Sequence, residues 1–539
     1  MSNLYHNFYP RPCLKRDSFL PLTKGEIVFS DGSRQSINLP FAPESSLSGV
    51  EAEFGRIREY KYEIPFTLPN SFIKDRVLLH IGAVRQKARI YINGKVALKE
   101  HIGAYSPIDL DITNYLKEEN LLTVEVYCDT LDYSIPYGKQ RGKRGGMWYT
   151  DISGIWQSVW LESVTDKYIK DIKIKTTLNS AEITFTGVNK GTVECQGKII
   201  NVDGRKCKIK IENPINWTPE TPHLYPFTAT FGEDKVESYF ALRTIEVKGN
   251  ELLLNKKPYF FHGVLDQGYF EKGILTPTSP EDYKDDILKM KSLGFNMIRK
   301  HIKVEPQIFY YYCDKYGMAV FQDMVNNGKY SFLFDTALPT VLFKRKNDKL
   351  SHRDPVAQSN FLEGMKDTVK NLYNHPSIVE WTIFNEGWGQ FRADEIYTLL
   401  TRYDQSRPID TASGWFKTNN TDFDSKHIYF RKLKAKKTDK PLFLSEFGGI
   451  THKVEGHTFG DKTYGYGSAK TREDFKKALC DLYENQVIPL KKEGLCASVY
   501  TQLSDVEDEI NGLITYDRTV MKILPEEFKE ISERLKNEE

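Results

Sequence analysis

The sequence predicts a multidomain chain. A jelly-roll β-sandwich spans residues 1–165, an immunoglobulin-like β-sandwich 166–247, and a (β/α)8 TIM barrel 248–539. Three observations predict this order. Strand-like runs fill the first 247 residues, cut by turn signals such as Asn93-Gly94, Ser106-Pro107 and Gly145-Gly146. Near residue 248 the period changes, and short apolar runs begin to alternate with amphipathic helix patterns. That alternation repeats eight times to the end of the chain, as a (β/α)8 barrel requires. A doubly wound sheet is the alternative, but no glycine-rich phosphate loop follows the first barrel strand.

In the first segment the runs are YKYEIPFTL (60–68), RVLLHIGA (76–83), KARIYING (87–94) and LLTVEVYCD (121–129). Short strands with regular punctuation suit a jelly roll. The second segment carries IKDIKIKTT, AEITFTG, KCKIKIE, FTATFG and ESYFALRTIEV, which suit a small immunoglobulin-like sandwich. The third offers eight strand candidates: 258–265, 297–301, 319–324, 378–386, 407–415, 426–430, 441–448 and 496–503. Helix patterns at 280–294, 361–373 and 472–487 lie between them.

Composition narrows the function classes. The 539 residues exceed one ordinary core. Lys plus Arg number 75 against 73 Asp plus Glu, so no basic excess points to a nucleic-acid partner. No apolar run reaches the roughly 18 residues of a membrane span. The first residues lack the apolar core of a signal peptide. Seven scattered cysteines form no CxxC pair or metal cluster, so reduced thiols in a cytoplasmic protein are expected, with no metal and no cofactor. The expected partner is a carbohydrate, with neither nucleic acid nor membrane; a homo-oligomer stays open.

In a (β/α)8 barrel the chemistry sits at the C-terminal ends of the strands. The run IVEWTIF (378–384) is a buried strand that surfaces at Asn385-Glu386. Glu446 ends the seventh strand, roughly across the barrel. Two facing carboxyl groups are what glycosidic cleavage uses: one protonates the leaving oxygen, the other attacks the anomeric carbon or activates water. Partial burial at an apolar strand end raises a carboxyl pKa and keeps an acid protonated near neutrality. Two unrelated strand-end glutamates are the bland alternative.

NEGWG (385–389) with SEFGG (445–449) resembles the acid/base and nucleophile motifs of family 2 glycoside hydrolases. GGMWYTDISGIWQSVWLE (145–162), NWTPETPHLY (216–225), FALRTIEV (240–247), GFNMIRKHIKVEP (294–306) and YYYCDKYGMAVFQDM (310–324) resemble that family's segments in the same order. The resemblance implies a retaining mechanism with Glu446 as nucleophile and Glu386 as acid/base. It implies that Asn385 holds the 2-hydroxyl of the sugar, Tyr429 bonds the nucleophile, and His427 is a nearby sugar-binding group. Arg299 is expected to steady the nucleophile, with His301 beside it. Asp266, Asp323 and Asp505 are candidate acceptors for sugar hydroxyls, and Trp388 and Trp415 candidate stacking faces.

Two departures bear on the sugar. Many family members carry a strand-8 Trp, where this chain has Tyr500-Thr501-Gln502 followed by DVEDE (505–509). Members that take glucuronides carry an Asn-x-Lys element after strand 8, where this chain reads NGLITYDR (511–518). The expectation is therefore an exo-acting β-galactosidase-like enzyme, with glucuronides disfavoured. Mannose, glucose, glucuronic acid and arabinofuranose stay open, as does a catalytically inactive carbohydrate-binding protein. A metal hydrolase would need a ligand cluster, for which only His301 and His427 are candidates.

Overall fold

The computed structural model describes residues 4–337, 348–429, 432–434 and 438–537. Its first part is a two-sheet sandwich. Four strands, among them Arg76–Ile81 and Val159–Val164, face a seven-stranded sheet built on Ile57–Thr67, Val84–Ile92 and Glu119–Asp129. Alternation sets the faces. In Ile57–Thr67 the residues Tyr60, Tyr62, Ile64 and Phe66 are buried between more open neighbours, the period of two that a half-buried strand imposes. Strands between Asp171 and Phe240 form a second sandwich, three strands against four.

The barrel strands are β1 (Phe261–Asp266), β2 (Met297–Lys300), β3 (Ala319–Asp323), β4 (Ile378–Asn385), β5 (Ile409–Ser413), β6 (Asp424–Ile428), β7 (Leu442–Gly448) and β8 (Leu495–Thr501). They pair in parallel in the order β5-β4-β3-β2-β1-β8-β7-β6. The eight expected strands are thus present. Of the sixth, expected at 426–430, Phe430 lies outside the described residues. Strict alternation with helices is not kept. No helix occurs between β5 and β6 among the described residues, and no ladder joins these two strands. Residues 414–423 are too few for a helical crossover. Side chains close this seam instead: Ser425 Oγ donates to Asp410 Oδ1 at 2.9 Å, and Ser413 Oγ lies 3.3 Å from His427 Nε2.

The surrounding helices carry their own start signals. Asp354 caps Pro355–Leu372 by accepting from Val356 N, and Thr471 with Asp474 forms a capping box on Arg472–Leu482. Inside the barrel, Phe321 packs tilted against Phe261 and edge-on against Phe443, with centroids 5.3 and 5.2 Å apart. This aromatic layer closes the N-terminal end, and a strand hairpin, Ile245–Lys248 with Glu251–Leu254, packs its leucines beneath. The polar groups of β2, β3 and β7 are left to line the opposite end. The seven cysteines are free thiols. Among the described residues no helix is long and apolar enough to cross a membrane.

Candidate active site

Glu386 follows directly on β4 in a left-handed backbone conformation, φ +54°. A non-glycine residue there costs about 1–3 kcal/mol and persists only where its surroundings hold it. Here Glu386 N donates to Ser413 O at 3.0 Å. The two glycines that follow are required: a Cβ at Gly387 would meet Phe416 at 2.0 Å and one at Gly389 the Asn327 carbonyl at 2.4 Å. NEGWG is thus a tight turn that aims one carboxylate over the barrel.

Glu446 reaches the same place by another device. Phe443 packs inside the barrel, so strict alternation would send Glu446 outward. The register of β7 slips between Leu444 and Phe447, and such an irregularity re-aims a side chain. Glu446 is buried. Arg299 Nη1 donates to its Oε1 at 3.1 Å, and the Tyr429 hydroxyl donates to its Oε2. Burial pushes this carboxyl up, but His427, His301, Arg299 and the Tyr429 bond outweigh it and hold it at about 2. An ionised, desolvated and fixed carboxylate is a nucleophile in waiting.

Arg299 organises the floor. It is fully buried, grips Asp323 with Nε and Nη2 at 2.9 and 3.1 Å, and donates from Nη2 to Asn385 Oδ1 at 2.9 Å. Asn385 is turned so that its amide nitrogen, without a partner among the described residues, is left for a ligand. His427 lies between the acids: Nδ1 is 2.8 Å from Glu386 Oε1 and Nε2 is 3.5 Å from Glu446 Oε1. His301 Nδ1 sits 3.2 Å from Asp323 Oδ2 and 3.7 Å from Glu446 Oε1, and burial pushes its pKa down. Trp415, half-buried in the loop after β5, has its ring 6.1 Å from that of His427.

The structure therefore gathers Glu386, Glu446, Asn385, Arg299, His301, His427, Tyr429 and Trp415 around one cleft. Four expected sugar contacts are corrected. Both Asp323 oxygens are taken by Arg299, so it anchors the floor and is no free acceptor. Asp266 accepts from Lys300 Nζ at 2.5 Å and from Gly268 N at 2.8 Å, and Lys300 also holds Glu305 at 2.9 Å, a sealed ion cluster. Trp388 is only 3% exposed, with its ring 5.2 Å from both Tyr137 and Trp148. It has no face left for a sugar. Asp505 is likewise paired, 2.6 Å from Lys522 Nζ.

Other groups at the cleft were not singled out from the sequence. Thr501 Oγ1 lies 3.1 Å from the Tyr429 hydroxyl, and Tyr466 stacks on Tyr429 at 4.0 Å. The jelly roll sends a loop across the barrel mouth: Tyr137 N and Gly138 N donate to Asn326 O, and the Tyr149 hydroxyl donates to Glu509 Oε2 at 2.5 Å. The available signal was the basic and aromatic run YGKQRGKRGGMWY (137–149).

Glu386, His427 and Glu446 offer three ligand atoms within 4.8 Å of one another. This trio has the donor types of a cation site, but Glu386 and Glu446 already share His427, and Glu446 is further held by Arg299. The arrangement is equally that of a paired acid and nucleophile.

The family model "Glycosyl hydrolases family 2, TIM barrel domain" matches residues 245–536, and "Glycosyl hydrolases family 2" matches 161–243. A β-galactosidase of Thermoanaerobacter pseudethanolicus is 28% identical over 419 residues, 70% of this chain and 52% of that protein. The β-glucuronidase of Homo sapiens is 25% identical over 410 residues, 65% of this chain and 59% of that protein. The chain spans little more than half the length of these relatives. Among solved structures, a β-galacturonidase of Eisenbergiella tayi superposes with TM-score 0.72 at 19% identity, covering 98% of both chains. A β-D-glucuronidase of Dictyoglomus thermophilum gives 0.76 at 18%, again over 98% of both.

Proposed function

The chain belongs to glycoside hydrolase family 2, and from that premise we propose that it is a retaining exo-β-glycosidase. Glu446 attacks the anomeric carbon, and Glu386 protonates the leaving oxygen and then activates water. One observation carries the reading: an oxygen of Glu386 and an oxygen of Glu446 lie within 4.8 Å of each other. Carboxyls of a retaining pair stand about 5–5.5 Å apart, those of an inverting pair about 6.5–9.5 Å. Asn385, oriented by Arg299, donates to the 2-hydroxyl. That bond strengthens as positive charge builds at the anomeric centre, so it favours the transition state over the ground state.

The sugar expected from the sequence is a β-galactoside, and β-galactosidases stand among the relatives. β-Glucuronidases stand there too. The missing Asn-x-Lys argues against a carboxylate bound after β8 only, and leaves other cations of the cleft to be considered. The experiment is hydrolysis of 4-nitrophenyl β-glycosides of galactose, glucose, mannose, glucuronic acid and galacturonic acid and of arabinofuranose, with the α-anomers as controls. Release of nitrophenol from one β-anomer, abolished in Glu446→Gln, is the expected result. A folded protein inert on the whole panel would favour the binding-protein alternative.

A further inference from the structure

The loop that crosses the barrel mouth carries two cations that the retaining mechanism does not use. Lys139 is 9% exposed. Its ammonium has no hydrogen-bond or carboxylate partner among the described residues. That ammonium is not sealed away from open space. A largely buried side chain whose ammonium ends in open space, with no carboxylate on it, is placed to take an anion from the cleft. Arg141 stands two residues on, at the end of a two-residue strand (Gln140–Arg141) that Lys139 precedes, and both side chains reach the same indole. The Lys139 Nζ lies 5.7 Å and the Arg141 Cζ 3.8 Å from the ring centroid of Trp148. Arg141 likewise has no carboxylate partner among the described residues.

Backbone contacts bring the loop that carries Lys139 against the catalytic cleft. Gly138, its neighbour, packs so closely on the Ile302 carbonyl that a Cβ would lie 2.8 Å from it. Ile302 follows His301 directly. Lys139 O accepts from Tyr149 N at 2.9 Å, and Trp148 packs on Trp388, two residues beyond Glu386. The acid that shares this wall, Glu509, has its oxygens occupied by the Tyr149 hydroxyl and by Asn511 Nδ2 at 3.1 Å. Lys139 also bears electrostatically on His301 and Glu509.

We propose that Lys139, with Arg141 beside it, binds the carboxylate of a β-linked hexuronide in this cleft, so that the sugar released is a uronic acid. This rests on the glycosidase reading above and adds the charge of the sugar to it. The cation is supplied by the jelly roll, from the opposite end of the sequence to the segment that follows β8. An ammonium serves here as a point charge with three donors, and both cations lie near the Trp148 indole.

The test compares 4-nitrophenyl β-galacturonide with β-galactoside and β-glucuronide with β-glucoside, on the wild type, Lys139→Met and Lys139→Arg. The wild type should prefer one uronide over its neutral counterpart at least about 10-fold in kcat/KM. Lys139→Met should cut that ratio about 10- to 100-fold, chiefly through KM, the scale of a lost charge-assisted bond. Lys139→Arg should keep most of it. Removing an unpartnered ammonium should leave the melting temperature equal or higher, whereas a lysine with a purely structural role would lower it. Neutral sugars preferred in both pairs, or Lys139→Met lowering both members of a pair equally, overturns the proposal. If no glycoside is cleaved, the glycosidase reading fails by itself. Calorimetry with free galacturonic and glucuronic acids then decides the site: binding abolished by Lys139→Met supports it, and no binding overturns it.

Discussion

One oxygen of Glu386 and one of Glu446 lie within 4.8 Å of each other across the barrel mouth. That gap leaves no room for a water to attack the sugar from the face opposite the leaving group. The first sugar released should therefore keep the β configuration. Proton NMR during the first minutes of hydrolysis checks this. An α-anomer formed first and mutarotating to β would show inversion and remove Glu446 from the nucleophile role.

Tyr429→Phe should move the acid limb of kcat/KM upward. Glu446 works ionised, and its carboxyl is held at about 2 against the pull of burial. Its activity is present above the folded pKa and is lost as pH falls through it. Removing the Tyr429 hydroxyl takes away one hydrogen bond to a charged group, worth about 1.5–3 kcal/mol, or about 1–2 pKa units. A pH profile of kcat/KM for both proteins checks it. The same sign holds for stability. A depressed carboxyl contributes stability above its unfolded pKa near 4.5 that is lost as pH falls toward 2, so the variant should gain less stability than wild type over that window.

The gathering of Glu386 and Glu446 with their immediate supports at one cleft was legible in the sequence, because strand ends and motif order place them. Arg299, His301, His427 and Tyr429 follow from which strand they end. It did not carry the partners that decide whether a side chain is free. Arg299 and Lys300 are adjacent, so they emerge on opposite faces of β2; the one takes Asp323, the other Asp266. An acid read alone looks available, and only the fold shows the cation already on it. Trp388 is buried because Tyr137 and Trp148, some 240 to 250 residues earlier, pack on it. The inward turn of Glu446 depends on a register slip that no periodicity reports.

Glu162→Ala should destabilise the chain strongly at a point far from the cleft. Glu162 is fully buried and accepts from Arg16 at 2.8 Å and Arg11 at 3.1 Å, with Trp160 Nε1 at 3.0 Å. Arg16 also holds Asp234 of the second sandwich at 2.9 Å, so one network ties the two sandwiches. Removing one member leaves buried charge unpaired, a loss of about 3–5 kcal/mol. Denaturant titration of the two proteins checks this; a loss below about 1 kcal/mol would mean that water takes over the role of Glu162.

Exhaustive chelation should leave turnover largely intact. Glu386, His427 and Glu446 have ligand atoms close enough to hold an ion, but an ion there would occupy the oxygens that must transfer a proton and attack carbon. Activity lost on chelation and restored only by one divalent ion would count against the assigned roles.

The two glutamates can be told apart by what azide does. Glu386→Ala removes the proton donor and keeps the nucleophile. On a glycoside with a poor leaving group the rate should fall about 10²–10⁴-fold, the usual worth of general acid–base help. A dinitrophenyl glycoside needs little protonation, so its glycosyl-enzyme should still form, in a burst. Hydrolysis then stalls, because no base activates water. Azide needs no base; it should restore turnover and give the β-glycosyl azide, since it attacks an α-linked intermediate. Glu446→Ala removes the nucleophile, so no burst can occur. Azide in the vacated space should attack the substrate directly and give the α-glycosyl azide. The anomers, read by NMR, assign each role without reference to any pKa. An α-azide from Glu386→Ala and a β-azide from Glu446→Ala would show the roles to be reversed.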